Sequence, residues 1–437
     1  MGLNSVGPGM TRRALAVAVI VAMTTGTAAC GGDEGSDAGG APKNVTLRFN
    51  YWGNQDRAEV TNKMIALFQQ KNPTIKVESS FAEFNAYFQK LATETGGGGG
   101  ADIIQMDYRY IREYGERNVL TAFNEGGVDV DTKEINPALL SAGQIRGKLF
   151  ALPLGQNTQV FWYDKAKYTE AGATLPTEKW TWADFAAAAK KVSDANKGTL
   201  SGSVDPGGTE DWFEVYLAQQ GKQLYDAEGK VAYTAADVAA WWQLTDGWRK
   251  SGAVTPAELT SKIDGSQAND PVSQKKAAAG FLYDSGLTAK SWEIYGRELT
   301  LNPFPSDSDK LGQYAKPAMQ IAITRKSEHP KEAAKFVDFF INDPEAAKIL
   351  GMSRGLPVNA KNRDLVGATL AGPPAQGLAY EKAVVSRLTA APPPPPKGAG
   401  AVKTSFQRIY DDVIFGRSTP QQAADKFLAE AKQALSA

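Results

Sequence analysis

Flat aromatic rings and planar polar side chains recur in this sequence just after short apolar runs. Trp52, Asn54 and Gln55 follow the alternating stretch Val45 to Tyr51, and Asp107 and Tyr108 follow Ala101 to Met106. Asn157 lies in Gly155-Gln-Asn-Thr158, Trp212 comes after the turn Asp205-Pro-Gly-Gly208, Asp284 and Ser285 close the run Ala277 to Tyr283, and Arg354 precedes Gly355-Leu-Pro357. Rings offer plates to an apolar face, while amides, carboxylates and a guanidinium fork bond two neighbouring oxygens at once. That is chemistry for holding a ligand.

Several kinds of bond-breaking chemistry lack their raw materials. His329 is the only histidine and Cys30 the only cysteine, so His-based triads, cysteine nucleophiles and ordinary zinc sites are not expected, and no metal or cofactor is expected. His329, ahead of an amphipathic run, reads as a surface residue before a helix start. No Gly-rich loop ends in Lys-Ser/Thr, and Gly96 to Gly100 lacks a following lysine, so that run reads as a flexible connection.

The elements that must position these side chains alternate in type. Val45 to Tyr51 reads as a strand, and Val60, Met64, Leu67 and Phe68 recur at helical spacing until Asn72-Pro73. Ile75 to Ser79 is a second strand, Phe84 to Ala92 a second helix and Ala101 to Met106 a third strand, an α/β order with a mostly parallel sheet. The strand Gln159 to Tyr163 opens a different unit. Helices are expected from Thr181-Trp-Ala-Asp184 to Val192, over Val215 to Gln220 and Val238 to Arg249, and over Lys331 to Phe340, with capped starts at Asp343-Pro344 and Thr419-Pro420. Trp241 and Trp242 share helical spacing with Val238 and Leu244, so at least one belongs to a core. Pro392 to Pro396 reads as a surface spacer. In open α/β sheets ligands sit beyond the carboxyl ends of strands, which selects the loops named above.

The N-terminus reads as a targeting segment. Arg12 and Arg13 precede the apolar run Ala14 to Met23, too short for a bilayer span of about 20 residues. Residues 1–29 are expected to be a signal peptide, Cys30 a lipidated first residue resembling that of a lipobox, and 30–43 a glycine-rich tether. Loss of two arginines and no acid leaves 46 basic against 48 acidic residues, which gives no field favouring nucleic acid. The remaining length exceeds what one hydrophobic core usually supports, so two domains are expected.

Four stretches carry a further signal: Asn50-Tyr-Trp-Gly-Asn-Gln-Asp-Arg57, Ala101-Asp-Ile-Ile-Gln-Met-Asp-Tyr108, Gly147-Lys-Leu-Phe-Ala-Leu-Pro-Leu-Gly155 and Ser353-Arg-Gly-Leu-Pro357. With Lys331 to Phe340 and Asp343-Pro-Glu-Ala-Ala-Lys348 between them, the chain resembles an extracellular sugar-binding protein of the bacterial ATP-driven (ABC) importers, over nearly the whole mature length. The resemblance implies a two-lobed α/β periplasmic-binding-protein fold with hinge strands, ligand between the lobes and delivery to membrane permease subunits. It further implies discontinuous lobes, 44–155 with 300–350 and 156–299 with 351–437, an acid for hydroxyls at Asp107 and a cleft arginine at Arg354.

On this reading the chain is not an enzyme. It is an extracytoplasmic, membrane-anchored monomer whose aromatics stack on a sugar ring while Asn, Gln, Asp and Arg bond its hydroxyls. Competing assignments stay open. Trp52 could cover the sheet end, Asp107 could cap the next helix, and Arg354 could hold its own loop. At the level of function, the alternatives are a secreted glycosidase and a binder of peptides or polyamines.

Overall fold

The structure is a computed structural model that describes residues 44–264, 268–284 and 292–436. Strand β1 (Val45–Trp52) alternates buried and exposed residues and pairs in parallel with β2 (Ile75–Ala82) and β3 (Ile103–Met106). Helices α1 (Gln55–Lys71) and α2 (Phe84–Gly96) make the crossovers between these parallel strands, but the sheet's other pairings are antiparallel, so the mostly parallel sheet expected holds only for these three strands. A small hairpin, β4 (Gln144–Ile145) and β5 (Lys148–Leu149), leads into β6 (Leu152–Tyr163).

Twelve residues long, β6 serves two sheets. Its first half, Leu152 to Thr158, runs antiparallel to β9 (Ala315–Ile323), which in turn pairs with β3; short β10 (Leu356–Pro357) flanks its other edge. Its second half, Gln159 to Tyr163, pairs instead with β7 (Ala279–Tyr283) and β8 (Thr300–Asn302). The expected strand at Gln159 to Tyr163 is therefore only the distal half. Gly155 marks the crowded middle, where the register with β9 shifts and a Cβ would lie 1.9 Å from the Arg354 carbonyl oxygen.

Two principal hydrophobic cores lie along this strand. The first joins Leu47, Phe49, Phe68, Leu152 and Ile321 to Phe336 and Phe340 on α6 (Pro330–Asn342), one of the helices introduced next. The second joins Phe161, Trp182, Phe213, Trp241, Trp242 and Phe281 to Phe406 and Phe427. Its helices are α3 (Trp182–Ala195), α4 (Glu210–Gln219), α5 (Ala235–Ser251), α8 (Ala399–Ile414) and α9 (Pro420–Ser436), while α7 (Pro373–Val384) packs Tyr380 and Val384 with Val160 of β6. Both Trp241 and Trp242 are fully buried.

Local signals explain the helix starts. Thr181 and Asp184 form a capping box on α3, as do Thr234 and Asp237 on α5, each satisfying otherwise orphaned backbone donors. Pro330 occupies the first position of α6, just after His329, and Asp343 Oδ1 accepts from the Glu345 and Ala346 amides.

Candidate ligand-binding cleft

A cavity open to solvent, with about 1150 Å³ of empty space including its mouth, lies beside the middle of β6. The loop after β3 supplies Asp107 to Arg109, β6 supplies Asn157, α4 supplies Glu210, Asp211 and Glu214, and the starts of β9 and α8 supply Lys316 and Lys403. Pro392 to Pro395 form another wall, with Pro394 to Pro396 buried, so the tract read as a surface spacer is built into the cavity. Proline carbonyls have no N–H neighbours competing for acceptors, and Tyr108 donates its hydroxyl to those of Pro392 and Pro393 at 2.7 and 2.6 Å. A second cavity of about 1300 Å³ shares Glu210, Asp211, Tyr283 and Lys403 with the first and is faced by Trp162, Trp212 and Phe281.

The charges are arranged in closed pairs. Lys316 Nζ donates to Asp211 Oδ1 at 2.9 Å and to the Tyr283 hydroxyl at 3.1 Å, and Lys403 bonds the other Asp211 oxygen. Burial alone would raise the Asp211 carboxyl, but the two ammonium groups hold it well below the usual carboxylate range. Asp107 accepts from Arg109 Nε at 2.8 Å and from the Arg109 backbone amide at 3.0 Å. Glu214 accepts from the Tyr314 hydroxyl at 2.7 Å, and burial pushes its carboxyl up to about 7.

Three lining groups have polar atoms that are buried and without a hydrogen-bond partner among the described residues: Asn157 Oδ1, Glu210 Oε1 and the Tyr225 hydroxyl. Such atoms cost about 1–3 kcal/mol each when left unsatisfied. All three belong to residues that line one cavity, which gives its wall hydrogen-bonding capacity that the described residues leave unused.

The residues singled out in the sequence divide into groups. Asp107, Tyr108 and Asn157 line the first cavity and Trp212 the second. Trp52 does not reach either: it is 8% exposed and packs on Phe84, Tyr87 and Phe88, with ring centroids 5.4 to 5.7 Å apart, because α2 covers that end of the sheet. Asn54 caps α1 by accepting from the Arg57 amide at 3.1 Å, and Gln55 is an exposed first helical residue.

Asp284 is buried against β6, where its Oδ1 accepts from the Thr158 amide at 2.8 Å; burial and Glu381 beside it hold its proton on. Arg354 is 4% exposed beneath the sheet, bonded to Gln105 Oε1 and Thr61 Oγ1 at 2.9 Å and stacked on Tyr51 and Phe340. Burial and the nearby Arg57 lower its pKa to about 9. Ser285 and Cys30 lie outside the described residues.

Sequence reasoning missed Glu210, Lys316, Tyr225 and Tyr283. Lys316 carried a usable signal: a lone cation in the apolar strand Ala315–Ile323 demands an acid nearby.

Comparison with known proteins follows the same outline. The sequence profile described as "Bacterial extracellular solute-binding protein" matches residues 52–347. A solved extracellular solute-binding protein of family 1 from Alicyclobacillus acidocaldarius subsp. acidocaldarius is 30% identical, with 91% of this chain and 100% of that one covered at a TM-score of 0.75. An uncharacterised lipoprotein of Streptomyces antibioticus is 23% identical over 76% of this chain and 72% of its own length. A galactooligosaccharide-binding protein of Bacillus subtilis is 21% identical over 98% of both chains.

Proposed function

Because this chain belongs to the bacterial extracellular solute-binding protein family, we propose that it captures a carbohydrate, an oligosaccharide, in the cavity beside β6 and delivers it to the permease of an ABC importer. The observation that carries this reading is that Asn157, Glu210 and Tyr225, each with a buried polar atom left without a partner among the described residues, line a cavity next to the rings of Tyr283 and Trp212. Hydroxyls of a sugar satisfy the first set, and its C–H face suits the second. The likeness to a galactooligosaccharide-binding protein supports the same ligand class.

The lobes follow the two cores, with β6 and the start of β9 as hinge. The first takes 44–155 and the region from β9 to residue 350; β8, paired with the distal half of β6, goes with the second. Ligand held by groups from both sides favours the closed arrangement that a permease senses. Lipidation of Cys30 holds the protein at the outer face of the membrane, a reading supported by a lipoprotein among its relatives. The protein acts as a monomer and turns nothing over.

A thermal-shift screen of residues 41–437 against mono- and oligosaccharides, followed by calorimetry, tests this. The expected result is a saturable one-to-one response to one sugar group, with a micromolar complex corresponding to about 8 kcal/mol. Stabilisation by a peptide or polyamine alone would change the ligand class, and catalytic cleavage of an oligosaccharide would replace capture by hydrolysis.

A further inference from the structure

Glu210, the first residue of α4, is 7% exposed and stands in the wall that the two cavities share. Its Oε1 has no hydrogen-bond partner among the described residues. The cations lining these cavities are already engaged, Lys316 and Lys403 with Asp211 and Arg109 with Asp107. A carboxylate buried without a bond or a committed counter-ion costs several kcal/mol, so such a group keeps its proton.

What remains buried and unpaired around the cavity is therefore an amide oxygen, a phenol and an acid; Asp226, also on the lining, accepts only from the Lys230 amide among the described residues. A ligand carboxylate would find no free cation without breaking the Lys316–Asp211–Lys403 group.

Resting on the carbohydrate reading above, we propose that Glu210 contacts the ligand as an uncharged carboxylic acid that donates its proton in a hydrogen bond to a sugar oxygen, and that the cleft selects neutral sugars over uronic acids. The groups acting on Glu210 are consistent with this state. Burial raises its pKa to about 8; Lys403 and Lys316 pull it down, while Asp211 and Glu214 on the same helix push it up. Tyr225 and Tyr233, whose hydroxyls are also buried without partners, face it as further neutral groups.

The sign of the pH effect follows. Donation requires the proton, so affinity is full below the pKa and falls as pH rises through about 8. The experiment is calorimetry of the best neutral oligosaccharide from pH 6 to 9 with the wild type, Glu210→Gln and Glu210→Ala, each checked for an unaltered fold by circular dichroism.

Glu210→Gln keeps a donor and cannot ionise, so at pH 6 it binds within about threefold of wild type and loses the fall near pH 8, while Glu210→Ala binds about tenfold or more weakly. Any remaining fall near pH 7 in Glu210→Gln comes from Glu214 and disappears in Glu210→Gln/Glu214→Gln. Loss of binding in Glu210→Gln at pH 6, affinity that rises with pH, or tighter binding of a uronic acid would overturn this inference and leave the carbohydrate reading intact. Failure of the wild type to bind any carbohydrate across the pH range would overturn both.

Discussion

Arg354 shows how much of a side chain's role depends on what covers it. Its Nε and Nη2 are spent on Gln105 and Thr61 and its plane on two rings, so Arg354→Ala leaves buried partners unsatisfied and is expected to destabilise the fold by about 2–4 kcal/mol. Urea unfolding reads that loss, and calorimetry on the folded fraction should find ligand affinity within about twofold of wild type. Trp52→Ala removes a ring from the α2 cluster at a cost of about 3–5 kcal/mol, again without a direct effect on the ligand.

The identity of these residues was legible in the sequence, but their direction was not. Asn54 followed a strand and looked available, yet the Arg57 amide claims it. Glu210 and Asp211 resemble the ordinary acids of a helix start, and only Lys316, 105 residues beyond Asp211, reveals that Asp211 faces inward.

At the scale of elements, periodicity and caps were sufficient for the parallel strands and most helix starts, since those signals lie within a few residues. The extent of β6 was not legible. Pro153 and Gly155 punctuate the sequence as a loop would, whereas β9 and β10 draw Leu152 onward into the sheet. Gly155→Ala therefore sets a Cβ against the backbone of Arg354 and must push β6 and β10 apart. The expected outcome is a loss of about 1–3 kcal/mol together with weaker ligand binding, because Asn157 moves with the strand. Unaltered affinity in a folded Gly155→Ala protein would mean that this part of β6 does not position the cleft. The wall at Pro392 to Pro395 was equally hidden, as its contact with Tyr108 joins residues 284 apart.

For the whole molecule, buried acids set the pH response. Burial raises Asp205, Glu214 and Glu381 to about 7 and Glu210 to about 8. Between roughly pH 4.5 and those values the folded chain keeps protons that the unfolded chain has released, so stability is full on the acid side and declines as pH rises towards 8. Each group contributes on the order of 1 kcal/mol per pH unit while it titrates. Scanning calorimetry should find a higher melting temperature at pH 5 than at pH 8; a profile that rises over that interval would mean these acids are ionised in the fold.

The interleaving of the two cores also governs how the chain can mature as it emerges. The first core lacks its central strand until residue 323 has appeared, and the second waits for Phe427, which meets Tyr233, Trp242 and Phe406 at centroid distances of 5.1 to 6.1 Å. Neither half can finish its core around an early segment alone, so the last packing contacts of both wait until synthesis is nearly complete.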